Sequence, residues 1–251
     1  MTKIKDISDY TESFAPLSTQ ADFDNSGLLV GDPQKEVHTV LVTLDITAQA
    51  VEEARELDAS LIISHHPVIF TPIKSLDSKS VPYLLAKYGI SALCLHTNLD
   101  RAEDCGVNVC LAQALELSDV SLYPDEFMAL GKPKRVLPVK LFANDVKRAL
   151  GCERVEYILG DNIVRTVAVS SGAGGSGFKT AKALGADLLI TGEAKHHELL
   201  EAHALGMPMI VAGHFHTEDV VIAPLCKKLS EKFPEVFFKK SENYKWISHK
   251  I

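Results

Sequence analysis

No run of roughly 18 apolar residues occurs in the chain, which excludes a membrane-spanning helix. Positive charge is not in excess either. The formal net charge is −7, so the broad basic face of a nucleic-acid or membrane-surface binder is missing. The compact basic run Lys132-Pro133-Lys134-Arg135 is short and reads as a solvated loop. None of the five cysteines (94, 105, 110, 152, 226) forms a CxxC pair, and an odd count predicts reduced, core-filling thiols and a cytoplasmic location. The opening residues Met1-Thr2-Lys3-Ile4-Lys5-Asp6 soon turn acidic and polar, unlike a secretory leader. There is also no P-loop.

What is present is an ordinary globular composition, 46% hydrophobic and 24% charged over 251 residues. That length suits one large domain or two modest lobes. The unusual feature is ten histidines, many of them beside acidic residues at expected strand ends.

The chain reads as a duplication. Residues 37–43 (VHTVLVT) and 164–170 (VRTVAVS) are both buried-strand patterns, offset by 127 positions. At the same offset 54–64 meets 181–191, and nine positions between 37 and 64 are identical to their counterparts. Upstream, Leu29-Val30-Gly31-Asp32 answers Ile158-Leu159-Gly160-Asp161. Downstream, each copy gives a helix, a glycine, an apolar strand and then histidine with a carboxylate. Strands alternating with helices predict an α/β fold of two similar lobes, residues 1–125 and 126–251, each with a mostly parallel sheet flanked by helices. Ligands in such sheets bind beyond the carboxyl ends of strands. Two lobes facing each other would enclose one site between them.

Three clusters carry the candidate chemistry. Ser64-His65-His66-Pro67 follows the apolar strand Leu61-Ile62-Ile63, and an extended backbone would send the two imidazoles in opposite directions, toward different metal ions. His96-Thr97-Asn98-Leu99-Asp100 ends the next strand. Its counterpart is Gly213-His214-Phe215-His216-Thr217-Glu218, where His214 and Glu218 share a face if a helix has begun and Gly213 permits a sharp turn. The expected ligands of a divalent metal pair are therefore His65, His66, Asp100, His214 and Glu218, with Glu218 able to bridge. Imidazole and carboxylate without thiolate suit zinc, iron, manganese or nickel. Such a pair fits two-metal hydrolysis, with Glu218 or Asp100 assisting proton transfer. His96, Thr97, Asn98 and Asp45 are expected to orient the ligands from behind.

Gly172-Ala173-Gly174-Gly175-Ser176-Gly177 satisfies G-x-G-x-x-G between a strand and a helix. Glu193 stands where a ribose-binding acid would lie, yet it belongs to a loop matching His65 and His66 in the other copy. The glycines are therefore read as a tight turn lining the cavity, within reach of a substrate phosphate, and not as a dinucleotide site. His196 and His197 either line the pocket or begin a helix as ordinary polar residues, the pocket being the favoured reading. His216 carries no assigned role.

Phe23-Asp24-Asn25-Ser26-Gly27-Leu28, Ser64-His65-His66-Pro67, His96-Thr97-Asn98-Leu99-Asp100 and Gly213-His214-x-x-Thr217-Glu218, in this order, resemble the Ngg-interacting-factor-like family, also labelled GTP cyclohydrolase 1 type 2 homologs. The resemblance covers nearly the whole chain. Phe23 stands where the family often has Trp, and the stretch 122–136 is too short for the inserted domain of longer members, so this is the short form. The resemblance implies two similar lobes, a dinuclear site between them with the same five ligands, and a homohexameric ring. It also implies hydrolytic opening of the GTP ring, with formate leaving. The rival readings from the residues are a non-catalytic metal-binding regulator or scaffold, and a phosphate-sensing module built on Gly172 to Gly177.

Overall fold

The computed structural model describes residues 1–160 and 162–242. In chain order its elements begin with α1 (Ile4–Glu12), β1 (Gly27–Val30), β2 (Thr39–Thr43), α2 (Ala48–Glu56), β3 (Leu61–Ser64), α3 (Val81–Tyr88), β4 (Ser91–Cys94) and α4 (Thr97–Asp100). There follow α5 (Val107–Ala114), β5 (Ser118–Tyr123), β6 (Met128–Lys132), β7 (Leu137–Pro138), α6 (Val139–Ala149), β8 (Glu156–Ile158), β9 (Ile163–Val164) and β10 (Val167–Ser170). The chain continues through α7 (Phe178–Ala183), β11 (Leu188–Thr191), α8 (His196–Ala204), β12 (Met209–Val211), α9 (His214–Glu218), α10 (Ile222–Lys232) and β13 (Phe237–Lys240). No helix among the described residues is long and apolar enough to cross a membrane.

The chain divides into two compact units. The first holds residues 1–99 and the described residues from 222 onward; its sheet runs β1-β4-β3-β2-β13. The strands β13, β2, β3 and β4 are mutually parallel, and β1 lies antiparallel on β4. The middles of the central strands, Val40-Leu41-Val42, Leu61-Ile62-Ile63 and Ala92-Leu93, are apolar and buried, as strands covered on both faces require. Leu41, Ile62 and Ala92 pack with Ala50, Val51 and Ala54 of α2 and Leu85 of α3. The Thr47 side chain caps α2 by accepting from Ala50 N at 3.1 Å. Left-handed Gly89 closes α3.

The second unit, residues 100–221, carries the sheet β5-β6-β10-β11-β12-β8. Alternate residues divide between two cores. Val167, Val169, Leu188, Ile190 and Ile210 face Phe142 and Val146 of α6, whereas Ala168, Leu189 and Met209 face Phe178 and Ala181 of α7 and Ala202 of α8.

The α/β class with helix-flanked sheets is as expected, but three particulars differ. The second sheet is not mostly parallel: only β10-β11-β12 run parallel, while β5-β6, β6-β10 and β12-β8 pair antiparallel. The hairpin of β5 and β6 accounts for this, closed by a tight turn with Phe127 at φ 48°. The expected strand 164–170 breaks into β9 and β10, because the amides of Arg165 and Thr166 both donate to Asp187 Oδ2 at 2.9 Å. The units also depart from a division at 125/126. Strand β13 hydrogen-bonds along β2 and returns the last described segment to the first unit. Of the repeat match, Asp161 lies outside the described residues, as do the final residues of the expected second lobe.

Candidate metal centre

In the first unit, three imidazoles converge where β3 and β4 end. The backbone of β3 keeps its partner for two residues past the strand, with His65 N donating to Thr43 O at 3.3 Å and His66 N to Leu44 O at 2.9 Å. Regular extension stops at Ser64, however, and the chain bends. The rings of His65 and His66 therefore lie 5.0 Å apart, not on opposite faces as an extended backbone would place them. His96, just beyond β4, brings its ring to 5.2 Å from His65 and 5.7 Å from His66. One ring nitrogen from each of the three falls within 4.8 Å of the others, close enough to hold a metal ion.

The partners behind these rings decide which nitrogen is offered. His65 is fully buried, and its Nδ1 lies 2.9 Å from Leu95 O. A carbonyl oxygen only accepts, so Nδ1 carries a proton, and in the neutral ring Nε2 is then the acceptor nitrogen. His66 Nδ1 meets Asp45 Oδ1 at 2.7 Å, and His96 Nδ1 meets Asp24 Oδ1 at 2.7 Å. Each carboxylate selects the same tautomer, the carboxylate–histidine arrangement that stands behind metal ligands. Asp45 was expected in this role; Asp24 was not. The bond from Asp24 spans 72 residues, and only folding brings its motif beside His96. His96 was expected behind the ligands; its ring nitrogen lies with those of His65 and His66 in a group that could hold a metal ion.

Asp24 also accepts from Thr97 N at 3.0 Å and from the Thr97 hydroxyl, which in turn accepts from Ala21 N at 2.9 Å. Burial pushes the Asp24 carboxyl up, but hydrogen bonds from His96 and Thr97 outweigh it and hold the group well below the usual carboxylate range. A depressed folded-state value stabilises the protein above the unfolded value and is lost as pH falls through the folded one. Metal-free protein should therefore lose part of its urea midpoint as pH drops from about 5 toward 2, and Asp24→Asn should lose less over that range. An equally steep loss in both would exclude Asp24 as a source. In the same spirit, Asp45→Ala should weaken zinc binding roughly 10- to 100-fold in competition with a chromophoric chelator. Unchanged affinity would mean that His66 needs no support.

Cys94 belongs to this frame. Its buried thiol donates to His65 O at 3.0 Å, so it braces the loop as well as filling the core. None of the five cysteines is in a disulfide, and burial, against the pull of the nearby Lys147 charge, pushes the Cys152 thiol up to about 11.

In the second unit, α9 opens after Gly213, whose φ of +94° provides the sharp entry. The helix forms as expected and sets His214 and Glu218 on one face, with Nε2 and Oε2 3.0 Å apart. Glu218 is buried, and His214 Nδ1 lies 3.4 Å from Glu193 Oε1. Behind them, Thr217 Oγ1 accepts from Gly172 N at 3.1 Å, and Glu193 N donates to Gly172 O at 2.8 Å.

The glycine run is thereby explained by contact. A Cβ at Gly172 (φ +57°) would lie 2.1 Å from Glu218 Oε1 and 3.3 Å from His214 Nε2. At Gly174 it would meet Ser170 Oγ at 2.2 Å, and at Gly175 the Ala194 Cα at 2.7 Å. Gly172 N is given to Thr217, and Gly175 N to Glu193 O at 3.0 Å. These two amides are committed within the chain, which counts against a phosphate cradle. The glycines let β10, the Glu193 loop and α9 approach one another.

His196 and His197 are exposed in the first turn of α8, the reading as ordinary polar residues of a helix start. His216 packs edge-on to Phe215 at 5.4 Å. Asp100 ends α4, and the donor group of three imidazoles does not include it.

The fold and these imidazole and carboxylate donor groups define an α/β protein with residues that could hold a metal ion. The chain belongs to the Duf34/NIF3 family (NGG1p interacting factor 3), which matches residues 2–245. A Clostridium perfringens relative called GTP cyclohydrolase 1 type 2 homolog is 31% identical over 92% of each chain. A Helicobacter pylori protein called GTP cyclohydrolase 1 type 2 is 30% identical over 87% of this chain and 88% of its own. Among solved structures, a hypothetical protein of Staphylococcus aureus superimposes with a TM-score of 0.93 at 26% identity, over 99% of both chains.

Proposed function

We propose that this chain is a dinuclear divalent-metal-dependent hydrolase acting on a nucleotide or related small molecule. The observation that carries the reading is the convergence of ring nitrogens from His65, His66 and His96 within 4.8 Å of one another, each ring held at Nδ1 by a carbonyl or carboxylate oxygen. His214 and Glu218 would form the second donor set, and the two sets would hold one ion pair together, with Asp100 as a further ligand and Glu218 able to bridge. Zinc, iron, manganese or nickel suits these donors.

When bound, such ions supply Lewis acidity toward both water and the electrophile. The chain's own residues do the rest. Asp45 and Asp24 hold their imidazoles in one orientation, Thr217 and the glycines seat Glu218, and Glu218 or Asp100 would accept a proton from water. The names of the relatives favour a nucleotide, and opening of the guanine ring of GTP is the specific reaction they suggest. The proposal extends to a cytoplasmic homohexameric ring, which sedimentation velocity would test.

Elemental analysis of purified protein, followed by turnover assays on nucleotides and phosphoesters, decides the matter. Metal-dependent release of product is expected. Bound metal without turnover on any of them would overturn the hydrolase and leave the non-catalytic metal-binding reading.

A further inference from the structure

Two large apolar rings stand in water beside the imidazole cluster. Phe23 is 68% exposed and Phe70 48% exposed, and neither packs into the core of its unit. Their centroids are 6.4 Å apart with planes at 55°, and Phe70 meets the His96 ring edge-on at 6.3 Å and 85°. Exposed phenylalanines on a surface are usually scattered singly; these two are neighbours of each other and of a candidate ligand.

Their positions are held by the bonds that hold the site. Asp24, next to Phe23, is tied to His96 and Thr97. Asn25 Nδ2 donates to Ile69 O at 2.6 Å, which fastens the loop of Phe70 to the loop of Phe23. The rings are thus set in place before any ligand arrives, and little ordering is left to oppose binding.

We propose that Phe23 and Phe70 form the binding site for a planar aromatic heterocycle, a nucleobase-like ring, and so determine the substrate class of the neighbouring centre. The inference rests on the metal-centre reading above for what happens to the bound molecule, but not for the binding itself. A guest ring stacked on one phenylalanine meets the other near its edge, and aromatic quadrupoles favour both arrangements. Burial of the wetted ring faces adds the hydrophobic term. No hydrogen-bonding group is contributed by either side chain, so the pair selects for a ring and not for a particular base.

The test is titration of metal-loaded protein with guanosine and adenosine, and with ribose 5-phosphate as the ringless comparator, by calorimetry. Phe23→Leu and Phe70→Leu keep an apolar side chain without the π-face and should weaken nucleoside binding roughly ten-fold each. Phe23→Tyr and Phe70→Tyr should bind nearly as the parent does. Metal content should be unchanged in all four, and ribose 5-phosphate should bind each variant alike. Nucleoside affinity indifferent to the leucine variants would overturn the proposal, as would an equal loss for ribose 5-phosphate. A change of oligomeric size with unaltered nucleoside binding would also overturn it and make this face a contact between copies. Because binding is read without turnover, failure of the hydrolase reading would leave a different record: nucleosides held by Phe23 and Phe70 but not converted.

Discussion

In the proposed shared centre, alanine at His66 and, separately, at Glu218 is expected to abolish metal binding and any turnover together. The reason lies in how few donors each set holds. The first unit offers three imidazoles, and loss of His66 removes one donor and leaves Asp45 facing no ring. In the second unit Glu218 is the buried carboxylate beside His214 Nε2, so its removal leaves one imidazole there. Replacing a group that merely supports a ligand costs roughly 10- to 100-fold in affinity, and losing the ligand itself should cost at least that. Metal per chain, measured after desalting, separates shared from independent sites. With a shared pair, Glu218→Ala empties both positions. With two independent sites it would remove half of the metal, and the bridging role of Glu218 would be wrong.

Gly172→Ala is expected to be nearly as damaging to metal binding while sparing the fold. The new methyl would sit 2.1 Å from Glu218 Oε1, and the carboxylate, at the end of a flexible side chain, would swing aside. Left-handed strain at φ +57° adds roughly 1–2 kcal/mol. Gly206→Ala provides the control, since its φ is +66° and an added Cβ meets nothing within 4 Å. Both variants should lose about the same stability in urea, roughly 1–2 kcal/mol. Only Gly172→Ala should lose metal affinity, by roughly 100-fold. Equal metal binding in the two would show that the Glu218 carboxylate is not a ligand. Gly192→Ala is a harsher change, because its methyl would meet backbone, Gly172 O at 2.6 Å and His214 Cα at 2.8 Å, which cannot turn away.

Much of this was open to inspection in the linear chain. Apolar runs such as Leu61-Ile62-Ile63 announce strands buried on both faces, and a histidine or carboxylate after such a run lies where α/β sheets bind ligands. The i, i+4 spacing of His214 and Glu218 needed only the short helix that Gly213 starts. These are local properties, set by side-chain periodicity and backbone geometry within a few residues.

Other features depend on contacts between distant segments. The pairing of β13 with β2 joins residues about 200 positions apart and moves the unit boundaries away from 125/126. The antiparallel β5-β6 hairpin changes the second sheet for a similar reason, since strand order is a property of pairing and not of pattern. His96 and Asp24 carry the same lesson. Composition shows a histidine and an aspartate, but the 2.7 Å bond that turns the imidazole toward its two neighbours exists only after folding.

The sequence by itself therefore determined the class of donors, the strand ends that carry them and the absence of thiolate from the set. The tertiary structure decided which nitrogen each histidine presents, that His65, His66 and His96 converge, and that the glycines serve close approach. Donor identity is written in residue type. Donor direction is a hydrogen bond to a group far along the chain.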